Sequence, residues 1–100
     1  MNILIFGSNG WIGAQFISEL NKLNINYICS NIRVDDIPNL INEIDNINPT
    51  HVLSLIGRTH GIIDGKEYTT IDYLEQDGKL IENIRDNLFC PLTLSKICNL

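Results

Sequence analysis

Gly7, Gly10 and Gly13 fall at the spacing Gly-x-x-Gly-x-x-Gly directly behind the short apolar run Asn2–Phe6. Between a strand and a helix, glycines so spaced bring backbone N–H groups up to a dinucleotide diphosphate, and the helix N-terminus adds partial positive charge. Gly7 permits the turn out of the strand, Gly10 lets the diphosphate approach the backbone, and Gly13 allows close helix–strand packing. Ser8 and Asn9 place polar groups at the helix start, and Trp11 and Ile12 complete the segment. A glycine turn that binds nothing is the alternative; the flanking strand and helix favour binding.

The end of the second strand decides which dinucleotide. An NAD-preferring site usually carries an acid there, about 20 residues past the glycines, to hold the ribose 2′-hydroxyl. Ser30 stands at that place and Arg33 follows. A guanidinium can bond two phosphate oxygens at once, so the pattern favours NADP (NADPH) over NAD. Asp35 and Asp36 are close enough in sequence to act as the acid instead, and a solvated surface arginine is the plain alternative.

At the end of the third strand, Leu55, Ile56, Gly57 and Thr59 point into the crevice where open parallel sheets bind ligands, and Gly57 lets the backbone approach. Arg58, Thr59 and His60 could touch ribose, phosphate or substrate, or form a polar surface loop. Asn87 lies in the last helical pattern, and Pro91, four residues on, has no N–H to give to its carbonyl. A freed carbonyl facing the cleft would hold a water in a proton relay; a helix kinked at Pro91 with Asn87 in solvent is the alternative. No Tyr-x-x-x-Lys occurs, and there is no paired-carboxylate, Ser-His-Asp or metal-ligand constellation. The acid–base pair for hydride chemistry is therefore absent from this span, and no metal is expected.

The elements that must position these residues alternate between strand and helix, the signature of an α/β fold with a Rossmann-type parallel sheet and flanking helices. Strand one is Asn2–Phe6. Helix one runs from about Trp11 to Leu23, with Ile12, Phe16, Ile17, Leu20 and Leu23 on one side. Strand two is Tyr27–Cys29. Helix two is capped by Asp35 or Asp36, carries Pro38 in its first turn, lines Ile37, Leu40, Ile41, Ile44 and Ile47 on one face, and ends at Pro49-Thr50. Strand three is His51–Ile56, and residues 57–72 form a polar loop. A last helix starts between Leu74 and Ile81 and runs to the end, with Leu80, Ile84, Leu88 and Leu92 on one face. The order β-α-β-α-β-loop-α is an N-terminal half. Ordered 3-2-1, it leaves strand one on an edge, and an open apolar edge invites misassociation. Residues 1–100 are therefore expected to be the cofactor-binding part of a longer protein, cut before its catalytic and substrate regions.

The net charge of −5 and the isoelectric point near 4.7 disfavour nucleic-acid or anionic-membrane partners, which reward basic patches. Cys29, Cys90 and Cys98 have neither the count nor the spacing of a disulfide framework or zinc site, so reduced, cytoplasmic thiols are expected. The start Met-Asn-Ile-Leu-Ile-Phe lacks the basic region of a signal peptide, and no apolar run approaches the ~20 residues of a membrane span.

Four stretches carry a resemblance: Leu4-Ile-Phe-Gly-Ser-Asn-Gly-Trp-Ile-Gly13, Arg33, Asn48-Pro-Thr-His-Val52, and Ile84-Arg-Asp-Asn87 through Leu92-Thr-Leu94. In these the chain resembles the N-terminal part of extended short-chain dehydrogenases/reductases acting on nucleotide sugars. It is most similar to the dTDP-4-dehydrorhamnose reductase group, especially the bifunctional UDP-4-keto-6-deoxyglucose 3,5-epimerase/4-reductases of rhamnose biosynthesis. The resemblance implies an NADPH-dependent oxidoreductase acting on a nucleotide-linked 4-keto sugar, with a Tyr and Lys supplied beyond Leu100. It implies that Gly7, Gly10 and Gly13 hold the diphosphate, Arg33 the 2′-phosphate, and Leu55–Thr59 the nicotinamide half, with Asn87 as the proton-relay asparagine. A homodimer is the expected assembly of the full-length protein. The chain departs from the pattern at Arg58-Thr-His60, more polar than the small residues of many relatives, and at Pro91. A non-catalytic NADP-binding regulatory or sensor module of the same family is the competing reading.

Overall fold

Residues Ile3 to Phe6 are all buried, so their strand needs cover on both faces. The computed structural model describes residues 1–99, and Leu100, the expected end of the last helix, lies outside the described residues. The chain runs β1 (Asn2–Phe6), α1 (Trp11–Lys22), β2 (Asn26–Cys29), α2 (Ile37–Ile47), β3 (His51–Ser54), β4 (Gly61–Ile63), β5 (Lys66–Tyr68), a 3-10 turn (Ile71–Glu75), α3 (Leu80–Asn83), a π-helical stretch (Ile84–Phe89) and α4 (Cys90–Cys98). It is a small mixed α/β domain built on a parallel sheet of three strands. Among the described residues no helix is long and apolar enough to cross a membrane.

The sheet order is β2-β1-β3, which corrects the expected 3-2-1 order and moves β1 from an edge to the centre. The physical reason is in β1 itself. Ile3 and Ile5 pack with Leu20 and Ile17 of α1, while Leu4 and Phe6 pack with Leu40 of α2 and with Cys90 and Leu94 of α4. Helices on opposite faces are what result when α1 carries the chain to one side of β1 and α2 carries it back across to the other. The open edges are then β2 and β3, so misassociation through β1 gives no reason to expect a continuation. Register pairs Leu4 with Ile28 and with Val52. Thr50 sets the β1–β3 register: its Oγ1 accepts the Asn2 N–H at 2.8 Å and its own N–H donates to the Asn2 carbonyl at 2.9 Å.

The helices form where the pattern places them, but none turns the whole of its expected face inward. In α1, Leu20 is buried and Ile17 packs beside it, while Ile12, Phe16 and Leu23 are exposed. Of the expected face, the Ile17 and Leu20 side turns inward because Gly13 sits against the backbone of Ser8, which brings that side of the helix onto β1. In α2, Leu40, Ile44 and Ile47 reach the core as expected, whereas Ile37 and Ile41 stay exposed at its margin. Asp36 is at the N-cap, yet its carboxylate accepts from Asn39 Nδ2 at 2.7 Å and makes no capping bond. The helix stops at Asn48, left-handed at φ 48°, one residue before Pro49.

The loop expected over 57–72 contains the β4–β5 hairpin, closed by Asp64-Gly65 with positive φ at both residues. That dipeptide is a strong hairpin signal. The last helical segment begins at Leu80, and its expected apolar face is the solvent face: Leu80, Ile84, Leu88 and Leu92 are all exposed. Asp86, Cys90 and Leu94 are buried instead. Pro91 accounts for the π-helical stretch, since it cannot donate to Asn87 and its ring crowds that carbonyl; the Cys90 N–H reaches back five residues to the Arg85 carbonyl.

These faces make opposite demands on stability. Leu40→Ala should cost about 2–5 kcal/mol, as for a fully buried leucine, while Leu88→Ala should change stability by no more than about 0.5 kcal/mol. Urea unfolding of the two variants measures both, and equal losses would refute the assigned core.

Candidate functional site

The ladder of β1 runs on to the glycine turn. Ser30 N–H donates to the Ile5 carbonyl and Leu55 N–H to the Phe6 carbonyl, both at 2.8 Å. Ser30 and Leu55 are thereby fixed on either side of Gly7. The cleft that results has a volume of about 270 Å³ and is walled by residues 7–10, Ser30, residues 55–58 and Asp86. It opens at the carboxyl ends of β1 and β3, on either side of the point where the chain changes direction across the sheet. Ligands of open α/β sheets bind at such a point.

The three glycines are not equivalent. Gly7 has φ +79°, and a Cβ there would lie 2.7 Å from the Leu55 carbonyl carbon. At Gly13 a Cβ would lie 2.5 Å from the Ser8 carbonyl oxygen. Both positions are closed by backbone, so these two glycines let the turn seat against β3 and α1 seat against the turn. At Gly10 a Cβ would meet only the Gly7 carbonyl at 3.8 Å, so the space beside it belongs to the cleft. Gly10 is also the N-cap of α1, and no side chain caps that helix. Its first-turn N–H groups have no partner within the helix and face the cleft end, where they suit an anion. A neutral backbone cradle of this size, with Ser8, Asn9 and one arginine around it, fits a dinucleotide diphosphate.

Of the residues the sequence singles out, Gly7, Ser8, Asn9, Gly10, Ser30, Leu55, Ile56 and Gly57 come together around the cleft. Trp11 and Ile12 are exposed on α1 beside it, Gly13 is buried beneath it, and Arg33 and Thr59 lie outside its wall. Thr59 Oγ1 and His60 Nδ1 are 3.2 Å apart on the exposed loop. Arg33 holds Asp35 with Nε and Nη2 at 3.0 and 3.1 Å, which keeps the Asp35 carboxyl below its ordinary range. Both side chains are exposed, and solvent screens a bridge of that kind, so it holds the two residues only weakly.

Two carboxylates at the site escaped the sequence reading. Ser30 Oγ donates to Glu43 Oε2 at 2.6 Å, so α2 returns an acid to the end of β2, where the chain itself places a serine. A residue thirteen positions away leaves no local signal of that contact. Asp86 is buried at the back of the cleft, with Arg85 Nε on Oδ1 at 2.8 Å and Nη2 on Oδ2 at 3.0 Å. Those bonds hold its carboxyl below the ordinary value against the opposing effect of burial. Beside it, Asn87 spends its side chain on the β3 loop: Oδ1 accepts the Arg58 N–H at 2.8 Å, and Nδ2 donates to the Arg58 carbonyl at 2.9 Å and to Asn83 Oδ1 at 2.8 Å. The amide clamps the loop to the helix.

A larger cavity, about 620 Å³, runs beside the outer edge of β3 between the end of α2 and α4. It is a groove along the open edge of β3, remote from the glycine turn, and the smaller cleft is the one with converging backbone donors. Among the described residues no group of three or more His, Cys, Asp or Glu side chains could hold a metal.

No family model matches the chain. It is 47% identical, over 98 residues, to an uncharacterized protein of Acanthamoeba polyphaga mimivirus, L780, covering 98% of this chain and 32% of that one. The crystal structure of L780, a UDP-rhamnose synthase, matches with a TM-score of 0.90 over 99% of this chain and 33% of the other. A bifunctional dTDP-4-dehydrorhamnose 3,5-epimerase/dTDP-4-dehydrorhamnose reductase of Arabidopsis thaliana is 31% identical over 97% of this chain and 29% of its own length. A trifunctional UDP-glucose 4,6-dehydratase/UDP-4-keto-6-deoxy-D-glucose 3,5-epimerase/UDP-4-keto-L-rhamnose-reductase of the same plant is 32% identical over 98% of this chain and 13% of its length. The chain thus spans a third or less of the relatives it matches.

Gly10→Val should leave folding intact, because a Cβ there meets nothing closer than 3.8 Å, and should weaken any dinucleotide that the cleft takes. Gly7→Ala should instead cost about 1–3 kcal/mol of stability through backbone strain. Thermal melts and calorimetric titration of both variants separate these outcomes. Asp86, with its folded pKa depressed, contributes stability above its ordinary pKa and loses that contribution as pH falls. Asp86→Asn should therefore flatten the acid loss of stability below about pH 4, measured by denaturation at stepped pH.

Proposed function

We propose that this chain is the NADPH-binding, Rossmann-type part of an extended short-chain dehydrogenase/reductase. On this reading it serves the reduction of a nucleotide-linked 4-keto-6-deoxy sugar in rhamnose biosynthesis. The observation that carries the reading is the cleft between the carboxyl ends of β1 and β3, open at Gly10 and facing the uncapped start of α1. The likeness to a UDP-rhamnose synthase supports the substrate class. The Arabidopsis relatives pair a reductase with a 3,5-epimerase, which supports extending the reading to that activity.

NADPH, when bound, supplies the hydride. The chain's own residues bind and orient. The Gly10 backbone and the first turn of α1 hold the diphosphate, with Ser8 and Asn9 beside it. Arg33 leaves Asp35 for the 2′-phosphate, a stronger and doubly charged partner. Leu55, Ile56, Gly57 and Thr59 flank the nicotinamide half. Asn87 fixes that loop through the Arg58 backbone, and its carbonyl, which Pro91 cannot serve as donor, holds a water for proton passage.

Arg33→Ala should weaken NADPH roughly ten- to hundredfold, the loss of a charge-assisted bond, and leave NADH nearly unchanged. Equal losses for both would refute the 2′-phosphate role. Consumption of NADPH by the full-length protein with UDP-4-keto-6-deoxyglucose decides between reductase and binding module; tight binding without consumption supports the module.

A further inference from the structure

The geometry points to Arg58 as an anion-binding residue of the cleft, donating to the diphosphate of a nucleoside-diphosphate ligand, with Asp86 as the positioning residue that aims it. The inference rests on the reading of the cleft as a nucleotide site, and it adds the cation that the glycine turn lacks.

Arg58 and Asp86 are the charged residues in the wall of the cleft. Asp86 is committed first to Arg85, which takes both of its oxygens at 2.8 and 3.0 Å. Arg58 reaches the same carboxylate only with Nε, on Oδ2 at 3.3 Å. Two guanidinium groups thus share one carboxylate, and of the two Arg58 lines the cleft. The Nη groups of Arg58 have no hydrogen-bond partner among the described residues, and its side chain is 40% exposed. Those donors are free for a ligand, and their planar fork matches paired phosphate oxygens.

The side chain is also held at both ends. Asn87 clamps the Arg58 backbone through N–H and carbonyl, and Asp86 restrains Nε. Immobilising a free arginine on binding costs rotamer entropy, and a restrained one loses less. Because Asp86 is buried and pinned by Arg85, it stays in place when Arg58 turns its Nη groups toward an anion. The shared chemistry is a diphosphate bearing a nucleoside, which a dinucleotide cofactor and a nucleotide sugar both carry.

Calorimetric titration of the full chain with ADP-ribose, which has the diphosphate but no 2′-phosphate, and with UDP-glucose tests the assignment. Arg58→Gln should weaken one of them roughly ten- to hundredfold, with partial recovery in Arg58→Lys. Loss for ADP-ribose assigns the residue to the cofactor, and loss for UDP-glucose assigns it to the nucleotide sugar. Unchanged affinity for both, with the unsubstituted chain binding either, overturns the role of Arg58. Failure of the unsubstituted chain to bind either overturns the nucleotide reading of the cleft itself. Asp86→Asn should also weaken the affected ligand, and that effect should vanish in the Arg58→Gln background, since a positioning residue acts only through the group it positions. An equal Asp86→Asn loss in both backgrounds would reduce Asp86 to a structural role.

Discussion

Ile3 to Phe6 are buried whichever way their side chains point, and the rest of the domain answers that constraint. A strand apolar on both faces cannot lie on the surface of either layer, so helices must cover it twice. α1 covers Ile3 and Ile5; α2 and α4 cover Leu4 and Phe6. Strands then flank it on both sides, and β1 becomes the central strand. The position of the site follows at once. The chain must leave the centre of the sheet at Phe6 and turn tightly between Ser30 and Leu55, which the ladder holds to either side. Only a residue without a Cβ, at positive φ, can make that turn against the Leu55 backbone. The same packing that stabilises β1 therefore builds the cradle beyond its end.

The cradle is a by-product of close approach. Gly7 and Gly13 are needed for contact with Leu55 and Ser8, whatever the protein binds. Gly10 alone has space beside it, and that space is the cleft. A glycine motif of this kind thus combines two packing requirements with one vacancy. Its value as a functional signal comes from the middle glycine, Gly10, which no packing contact explains.

What was legible in the sequence was local. A continuous apolar run located β1, Pro38 and the isoleucine spacing located α2, and the glycine spacing located the turn between β1 and α1; β3 starts at His51 as expected but ends at Ser54, two residues short of Ile56. Sheet order was not legible, because it depends on which strand must be covered twice, and a rule for strand order carried over from other sheets misplaced β1. Helix faces were legible only where one stripe had no rival. In α1 the expected face holds Ile12, Phe16 and Leu23 on one side and Ile17 and Leu20 on the other, and the backbone contact at Gly13 chose between them. In the last helix, Pro91 widened a turn that a uniform period cannot represent, and the apolar stripe of Leu80, Ile84, Leu88 and Leu92 faces outward. The hairpin at Asp64-Gly65 was readable, since its turn dipeptide is a local signal; Glu43 against Ser30 was not.

The charges around the cleft are arranged in a way that the net charge of −5 does not reveal. Arginines are paired with carboxylates here: Arg33 with Asp35, and Arg85 with Asp86, which also restrains Arg58. The pairings differ in depth. Asp86 is buried, and its two bonds to Arg85 offset the desolvation of its carboxylate. The Arg33 bridge is exposed, and Arg58 holds Asp86 by one long bond through Nε alone. A deep ion pair thus fixes the frame, while the exposed arginines are held more loosely around it. Net charge, a property of the whole surface, does not predict this; the depth at which each carboxylate is buried does.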